Sequence, residues 1–359
     1  MKRFIDCVIP FTTCNLRCNY CYITHNKSWG EKLPVFCYSA DYIGRALSVK
    51  RLGGVSLINI CGDGETLLPP EMPEIIYSIL KNSHYVMVVT NGTMTKRFEE
   101  MAKLPPDFLN RLLIKFSFHY LELKRKNLLD TFFDNVQKMR NAGCSISLEL
   151  TPSDEMIPYI DDAISLCRKK AGAIFHVTVA RNEKNPSLSL LTKYTRADYE
   201  KIWSRFNSNL FNFKMQVFGE KRYEYCYAGF WSGVLNLVTG ELKQCYHGEF
   251  LQNIFEDTER PIKFTPLGCH CPEPHCYNAH AFMTLGVIPS IPTPRFAEMR
   301  NRRCDDESEW LTPNMKSLLE KKLGDENKEL TRVEKQFYNM ARFFKKLLII
   351  RILKSIFSA

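Results

Sequence analysis

The sequence predicts an α/β protein in which a parallel sheet is followed by a small cysteine-rich region and a basic helix. In the first half of the chain, six short runs rich in β-branched or aromatic residues alternate with longer segments of helical periodicity. This alternation predicts parallel strands joined by right-handed helical crossovers. Between residues 215 and 289 the apolar runs shorten and Gly, Cys, His and Pro become dense, which predicts a second, smaller domain.

Capping residues set the bounds of several predicted helices. Ser39 and Ser153 are typical N-caps, and Gly53, Gly143 and Gly172 are typical of helix C-terminal ends. The predicted strands are residues 4–10, 56–61, 85–90, 112–118, 145–151 and 173–180, and the predicted helices are residues 39–51, 70–81, 96–103, 128–142, 155–170 and 196–206.

The composition is that of a soluble globular protein without a recognisable secretory signal. The 359 residues are 45% hydrophobic and 25% charged, and the opening MKR leads directly into a strand-like run. The 14 cysteines are therefore expected in the reducing cytoplasm, where clustered cysteines indicate metal ligands. The net charge of +10 is concentrated near the C-terminus and accompanies no recognised nucleic-acid module, so we expect no nucleic-acid partner. Most cysteines outside the clusters are expected to be small buried hydrophobes, namely Cys7, Cys37, Cys61, Cys144, Cys167 and Cys304.

A loop with three cysteines follows the first predicted strand. Cys14, Cys18 and Cys21 have the spacing C-x3-C-x2-C in the run CNLRCNYCY, with Tyr20 just before the third cysteine. Thiolates are the usual ligands of iron–sulfur clusters, and three of them leave one iron of a [4Fe–4S] cluster open. The alternative is a zinc site, for which His25 is the nearest fourth ligand. We call this segment the three-cysteine loop.

The spacing of the three-cysteine loop closely resembles the signature of radical S-adenosylmethionine (SAM) enzymes. The resemblance implies that the open iron binds the amino and carboxylate groups of SAM. It also implies reductive cleavage of SAM to a 5′-deoxyadenosyl radical, which abstracts hydrogen from a substrate. The fold implied is a partial (β/α)6 TIM-like barrel over residues 1–185, with its site at the C-terminal ends of the strands. Residues 186–214 then form a connector.

The run CGDGETLL after the second predicted strand supports this resemblance. Gly62, Asp63, Gly64 and Glu65 resemble the GGEP element of radical SAM enzymes, which contacts the SAM amino group, although Asp63 and Thr66 depart from its commonest form. Glycines allow a close backbone approach, and an acidic side chain accepts hydrogen bonds from an ammonium. The alternative is an ordinary tight turn. We call residues 62–65 the GDGE turn.

Polar residues also follow the third and fourth predicted strands. Thr90 and Asn91 in the run TNGT resemble a common radical SAM element, and Ser117 occupies a position where family members often contact SAM. The alternative is a turn into a helix capped by Thr93 or Thr95. Three further residues are candidates for contacts with SAM or substrate, with a structural role or a surface ion pair as the alternatives: His119, Glu149 and Arg181.

A second cysteine set occupies the region of residues 215–289. The segment VLNLVTGELKQC predicts a hairpin with a turn at Gly240, which would bring Cys226 and Cys245 together. The set resembles SPASM/Twitch extensions, which hold auxiliary [4Fe–4S] clusters, and five cysteines favour one cluster with Cys269 or Cys271 left over. The alternative is structural zinc. The candidate ligands are Cys226, Cys245, Cys269, Cys271 and Cys276, with His247, His270, His275 and His280 as further donors.

The resemblance implies a radical SAM oxidoreductase with one auxiliary cluster, supplied with electrons by a donor such as flavodoxin or ferredoxin. Similar enzymes with one auxiliary cluster oxidise an alcohol of an aminocyclitol or sugar, and those with fuller extensions modify peptides or mature sulfatases. The chain begins at the first strand, which favours a small substrate. The alternative to an enzyme is a binding protein that is stabilised by zinc and has no enzymatic activity.

The last segment, residues 290–359, is predicted to be irregular before it ends in a basic amphipathic helix. Cations interrupt the apolar run MARFFKKLLIIRILKSIF, so it is a poor candidate for a membrane span. Basic residues together with a large apolar content are typical of a helix that lies in a membrane interface. The alternative is that it packs on the barrel or on a second subunit.

Overall fold

The sheet of the protein contains seven parallel strands, and the first six of them lie side by side in sequence order. The computed structural model describes residues 1–182, 189–269 and 271–357, with the side chains of 345–357 left undescribed. Across the described residues the strand order is β6-β5-β4-β3-β2-β1-β7-β8-β9. The strands are β1 (Phe4–Ile9), β2 (Leu57–Gly62), β3 (Tyr85–Thr90), β4 (Leu112–Ser117), β5 (Ser145–Leu150), β6 (His176–Val177), β7 (Ser232–Asn236), β8 (Glu241–Lys243) and β9 (Phe250–Asn253).

Helices cover the outer face of this sheet, as the alternation of periodicities predicts. Strands covered on both faces are buried along their length, and β5 is buried at every position, including its polar residues Ser145, Ser147 and Glu149. The α/β fold with a partial TIM-like barrel is therefore confirmed. The helices are α1 (Tyr22–Asn26), α2 (Ala40–Ala46), α3 (Val49–Leu52), α4 (Met72–Lys81), α5 (Thr95–Met101), α6 (Pro106–Leu109), α7 (Tyr120–Arg125), α8 (Leu129–Asn141), α9 (Ile160–Ala171), α10 (Arg196–Ser204), α11 (Asn209–Val217), α12 (Ala279–Phe282), α13 (Pro313–Glu320) and α14 (Arg332–Phe357).

Two predicted helices differ from those observed. The segment 39–51 forms two helices, α2 and α3, and the Ser39 side chain caps the first by accepting a hydrogen bond from the Tyr42 amide. The segment 155–170 opens with a 3-10 turn that contains Pro158, because proline cannot donate the backbone hydrogen bond that an α-helix needs there. Ser153 occupies the N-cap position of this turn, as predicted, but its side chain makes no capping hydrogen bond.

The sixth strand is shorter than predicted, and the sheet extends further along the chain than the barrel. Within 173–180 only His176–Val177 is paired as a strand. Strand β7 pairs in parallel with β1, and β8 and β9 follow as antiparallel strands. The predicted hairpin therefore exists and continues the barrel sheet across residue 215. The division of the chain at 185, 214 and 289 remains a prediction.

The cysteine-rich region and the C-terminal segment pack on a second apolar core. Tyr227 and Trp231 stack with ring centroids 3.9 Å apart, and Trp231 belongs to the same buried cluster as Phe4 and Phe282. This cluster also includes residues of α13, so the segment 290–330 is more regular than predicted. The isolated cysteines are mostly buried: Cys7, Cys144, Cys167 and Cys304 are buried, Cys61 is partly buried and Cys37 is exposed.

Helix α14 contacts the body with one side and exposes apolar side chains on another. Arg342 donates to the Leu267 carbonyl oxygen at 2.5 Å, and Asn339 accepts a hydrogen bond from the Cys269 amide at 3.2 Å. None of the helices within the described ranges is long and apolar enough to cross a bilayer. An exposed stripe follows the spacing i, i+4, i+7, i+11, which places its members on one helix face: Val333, Phe337, Met340 and Phe344, 74%, 63%, 56% and 64% exposed.

Candidate functional site

The three-cysteine loop lies between the C-terminal end of β1 and the start of α1. Thr24 of α1 donates to the Cys18 carbonyl oxygen at 2.8 Å, and the Arg17 amide donates to Glu122 of α7 at 2.9 Å. The loop is thus held by two helices. All three cysteines line a cavity of about 310 Å³. Burial raises the pKa of Cys14 to about 11, so its thiol is protonated at neutral pH unless a metal binds it.

The GDGE turn packs directly against the three-cysteine loop. The Gly64 amide donates to the Phe11 carbonyl oxygen at 2.7 Å, and the Glu65 amide donates to that of Thr13 at 3.1 Å. A Cβ atom on Gly64 would overlap the Thr13 carbonyl group, so only glycine fits. The GDGE turn is therefore more than an isolated tight turn, because its hydrogen bonds fix the backbone that leads into Cys14.

Glu65 connects the GDGE turn to the end of β3. It is 2% exposed, and its carboxylate accepts hydrogen bonds from the Thr90 hydroxyl at 2.6 Å, the Asn91 amide at 2.7 Å and the Leu67 amide at 3.0 Å. Burial raises the pKa of Glu65, and these hydrogen bonds oppose that effect. A carboxylate has about four acceptor positions, so one remains for a ligand in the cavity.

The TNGT segment turns its polar atoms toward the three-cysteine loop. The Asn91 side-chain amide donates to Asn15 at 2.8 Å and lies 3.8 Å from the Cys14 sulfur. Neither threonine caps α5, because Met94 is the N-cap residue and no side-chain capping bond is made. Thr93 instead donates to the Asn91 side-chain oxygen at 2.7 Å. The capping alternative is therefore wrong.

The cavity brings together the residues predicted to contact SAM, with the exception of the candidate Glu149. Tyr20 shares a hydrogen bond of 2.6 Å with Nδ1 of His119, and burial lowers the pKa of His119 to about 4, which keeps it neutral. His25 lines a different cleft. The predicted residues in the cavity wall are Cys14, Cys18, Cys21, Tyr20, Gly62, Asp63, Gly64, Glu65, Thr90, Asn91, Ser117, His119 and Arg181, and those missed include Tyr22, Trp29, Thr151 and Thr178.

A buried group of charges lies one layer below this cavity. Glu149 accepts from Lys115 at 3.2 Å and from Arg300 at 2.7 Å, and its side chain is 9% exposed. The surface ion pair considered for Glu149 is therefore wrong. Lys115 and Arg300 hold the pKa of this carboxyl group well below its usual range, against the effect of burial. Arg300 was missed because it lies 151 residues away in the chain.

The second cysteine set gathers at a smaller cavity of about 60 Å³. The hairpin β7–β8 carries Cys245 to it, and backbone hydrogen bonds between Cys226 and Gly268 close it from another side. Cys269 is absent from its wall, because the backbone amide of Cys269 is bound to α14. Four cysteines line the cavity, namely Cys226, Cys245, Cys271 and Cys276.

The candidate histidine ligands of this second cavity fall into three groups. His247 and His275 line the cavity, whereas His280 is buried near Lys214 and Glu149. His270 lies outside the described residues. Within the described part of the chain, no set of three or more His, Cys, Asp or Glu is arranged to hold a single metal ion. Four thiols around one space match the donor chemistry of an iron–sulfur cluster and of zinc alike.

The fold and the first site together define a class of protein. A partial barrel with a three-cysteine loop, an acidic turn and polar strand ends around one cavity is the arrangement that the resemblance to radical SAM enzymes implies. Residues 8–156 match the family model of the Radical SAM superfamily, so this part of the chain is a radical SAM domain. The resemblance found in the sequence is thereby confirmed, and it makes SAM and a [4Fe–4S] cluster the cofactors of the domain.

Solved structures extend the likeness beyond that domain. SuiB of Streptococcus suis is 15% identical with a TM-score of 0.50, and the match covers 71% of this chain but 63% of SuiB. The chain thus spans less than two thirds of SuiB. Native anSMEcpe with bound AdoMet, which is SAM, is 16% identical over 71% of this chain and 79% of its own, with a TM-score of 0.48. BtrN in complex with AdoMet and 2-DOIA is 14% identical, and the match covers 72% of this chain and 80% of BtrN with a TM-score of 0.32. A comparison with curated proteins gave no match.

Proposed function

We propose that the chain is a radical SAM oxidoreductase that holds one auxiliary [4Fe–4S] cluster and oxidises a small polar, sugar-like substrate. When bound, the cofactors would supply the electron that cleaves SAM, the radical that takes a hydrogen atom and an acceptor for the second electron. The proposed ligands of the first cluster are the three cysteines of the three-cysteine loop. Those of the auxiliary cluster are Cys226, Cys245, Cys271 and Cys276.

The observation that carries the proposal is the contact between the two thiol-lined cavities. Arg181 lines the first cavity and donates to the backbone oxygen of Tyr277 at 2.9 Å, and Tyr277 lines the second cavity next to Cys276. A substrate in the first cavity would therefore lie close to both sets of thiols. Within this arrangement, Glu65 and Asn91 orient the ligand, while Tyr20 and Trp29 help to exclude water.

The proposal is tested by isotope transfer with anaerobically reconstituted, reduced protein. Aminocyclitols and sugars deuterated at a carbinol carbon are offered together with SAM, and a set of peptides forms the second arm. We expect 5′-deoxyadenosine to be produced and to gain deuterium from one of the small substrates. Transfer from a peptide alone would replace the small-substrate proposal with a peptide-modifying one. Iron-loaded protein that produces no 5′-deoxyadenosine would contradict the enzymatic proposal.

The location of the protein and its electron supply are part of the same proposal. We expect the protein in the cytoplasm, where flavodoxin or ferredoxin would reduce the first cluster. The exposed stripe of α14 would contact a membrane surface, since apolar side chains there stand beside basic residues such as Arg332.

A further inference from the structure

The wall of the second cavity contains a buried histidine without a hydrogen-bond partner. His275 is 3% exposed and lines this cavity together with Cys226, Cys245, Cys271 and Cys276. Neither Nδ1 nor Nε2 of His275 has a hydrogen-bond partner among the residues that the structure describes. Buried polar atoms in folded proteins are almost always hydrogen-bonded, because an unpaired one loses its bonds to water without replacement. The imidazole therefore indicates a group that binds in this cavity.

Aromatic neighbours hold the imidazole ring of His275 in place. The ring of Phe218 lies 4.8 Å away, centroid to centroid, at an interplanar angle of 34°. The ring of Tyr277 lies 5.1 Å away at an angle of 61°. Contacts with two rings restrict the rotation of the side chain, so the nitrogens of His275 stay in the wall of the cavity.

Four other polar side chains of this wall are bonded elsewhere. Tyr246 and Asn278 donate to the buried carboxylate of Asp6 at 2.8 and 2.9 Å. His247 lies 3.3 Å from Glu273. An ordered water needs about three polar partners, and these four side chains already have theirs. The cysteine sulfurs share the cavity with the unpartnered imidazole, and sulfur accepts hydrogen bonds.

A histidine beside four cysteines is suited to donate a hydrogen bond to a cluster. Four cysteines satisfy the ligand requirement of one [4Fe–4S] cluster, so a histidine is surplus as a ligand. In either protonation state, an imidazole carries at least one N–H group. A hydrogen bond to the sulfur atoms stabilises the reduced cluster more than the oxidised one, because reduction adds negative charge. A buried donor at this position therefore raises the reduction potential.

We infer that His275 donates a hydrogen bond to the sulfur atoms of the auxiliary site and thereby raises the reduction potential of the auxiliary cluster. The inference rests on the proposed function, which assigns this cluster to the four cysteines of the second cavity and makes it the acceptor of the second electron. A higher potential makes the cluster a better electron acceptor. His275 thus tunes the cluster and is not one of its ligands.

The test compares His275→Phe with His275→Gln in anaerobically reconstituted protein. Phenylalanine keeps the aromatic contact with Phe218 but lacks the N–H group, whereas glutamine keeps an N–H donor. A redox titration followed by electron paramagnetic resonance (EPR) measures the potential of the auxiliary cluster. The variant in which Cys14, Cys18 and Cys21 are replaced by Ala identifies the signal of this cluster, because it lacks the first one.

We expect His275→Phe to lower the potential of the auxiliary cluster and to keep its iron. Loss of one hydrogen bond to a charged group should weaken electron binding about tenfold, which is about 59 mV for a one-electron couple. His275→Gln should retain most of the original potential. His247→Phe is the matched control. His247 also lines the cavity, but its side chain is 54% exposed and lies beside Glu273, so its loss should leave the potential unchanged.

A second measurement distinguishes a hydrogen bond from a direct ligand. Protein that contains isotopically labelled histidine is studied by pulsed EPR of the reduced auxiliary cluster. We expect a weak coupling to nitrogen that disappears in His275→Phe. A strong coupling of the kind that iron-bound nitrogen gives would overturn the inference, and so would the absence of any coupling that depends on His275.

Three results of the redox titration would also overturn the inference. They are an unchanged potential in His275→Phe, an equal shift in His247→Phe, and loss of the auxiliary iron from both His275 variants, which would make His275 a ligand. Failure of the proposed function is recognised separately, from the iron, zinc and sulfide content and the production of 5′-deoxyadenosine. An auxiliary site without a cluster contradicts both proposals. An unchanged potential with the cluster and SAM cleavage present contradicts the role of His275 alone.

Discussion

Gly64 offers the sharpest test of how the barrel positions the three-cysteine loop. In Gly64→Ala, the added methyl group meets the Thr13 carbonyl group and lies 3.1 Å from the Phe11 carbonyl oxygen. Backbone atoms cannot rotate away, so the GDGE turn must separate from residues 9–13. Three backbone hydrogen bonds of 2.7 to 3.2 Å join these two segments. Loss of two or three of them costs about 2 to 3 kcal/mol.

The assay combines iron content with thermal unfolding. We expect Gly64→Ala to lose iron from the first site while keeping the auxiliary site, and to unfold about 5 °C lower. Gly143→Ala is the control: Gly143 has φ 99°, and nothing lies within 4 Å of an added Cβ. That substitution strains the backbone by about 1 to 2 kcal/mol and should leave the iron content unchanged. Full iron content in Gly64→Ala would refute the reasoning.

Three further predictions concern the cofactor, the auxiliary ligands and the last helix. Glu65→Ala should weaken SAM binding, measured by equilibrium dialysis, because the buried carboxylate that faces the cavity is removed; unchanged affinity would exclude Glu65 from the site. Cys271→Ser should lower the iron content of the auxiliary site whereas Cys269→Ser should not, and the reverse pattern would contradict the assignment. The intact protein should co-sediment with anionic liposomes at low salt and a form lacking residues 334–359 should not; equal sedimentation would exclude the helix as a membrane contact.

Most of the barrel and of its first site could be predicted from the sequence because the signals are local. Most of the parallel strands are short and predominantly apolar, and each motif follows directly at the end of its strand. The GDGE turn follows β2 as the sequence predicts, whereas β5 is buried at every position although its sequence SISLEL alternates polar and apolar residues. Local patterns also identified the hairpin around Gly240, whose φ of 83° favours glycine.

The features that could not be predicted depend on contacts distant in the chain. The parallel pairing of β7 with β1 has no local signal, because both read as ordinary short strands. Arg300 compensates Glu149 only after the chain has folded back, and a lone arginine in an irregular segment looks like a surface residue. Spacing alone did not separate Cys269 from Cys271, since contacts with α14 decide which of the two faces the cavity.

Quantification of iron, zinc and acid-labile sulfide in anaerobically reconstituted protein tests the central claim most directly. The unaltered protein should hold about eight irons with matching sulfide and no stoichiometric zinc, as two [4Fe–4S] clusters require. Replacement of Cys14, Cys18 and Cys21 together by Ala should leave about four irons, all at the auxiliary site. A triple variant that loses no iron, or a protein that carries zinc without sulfide, would contradict the account.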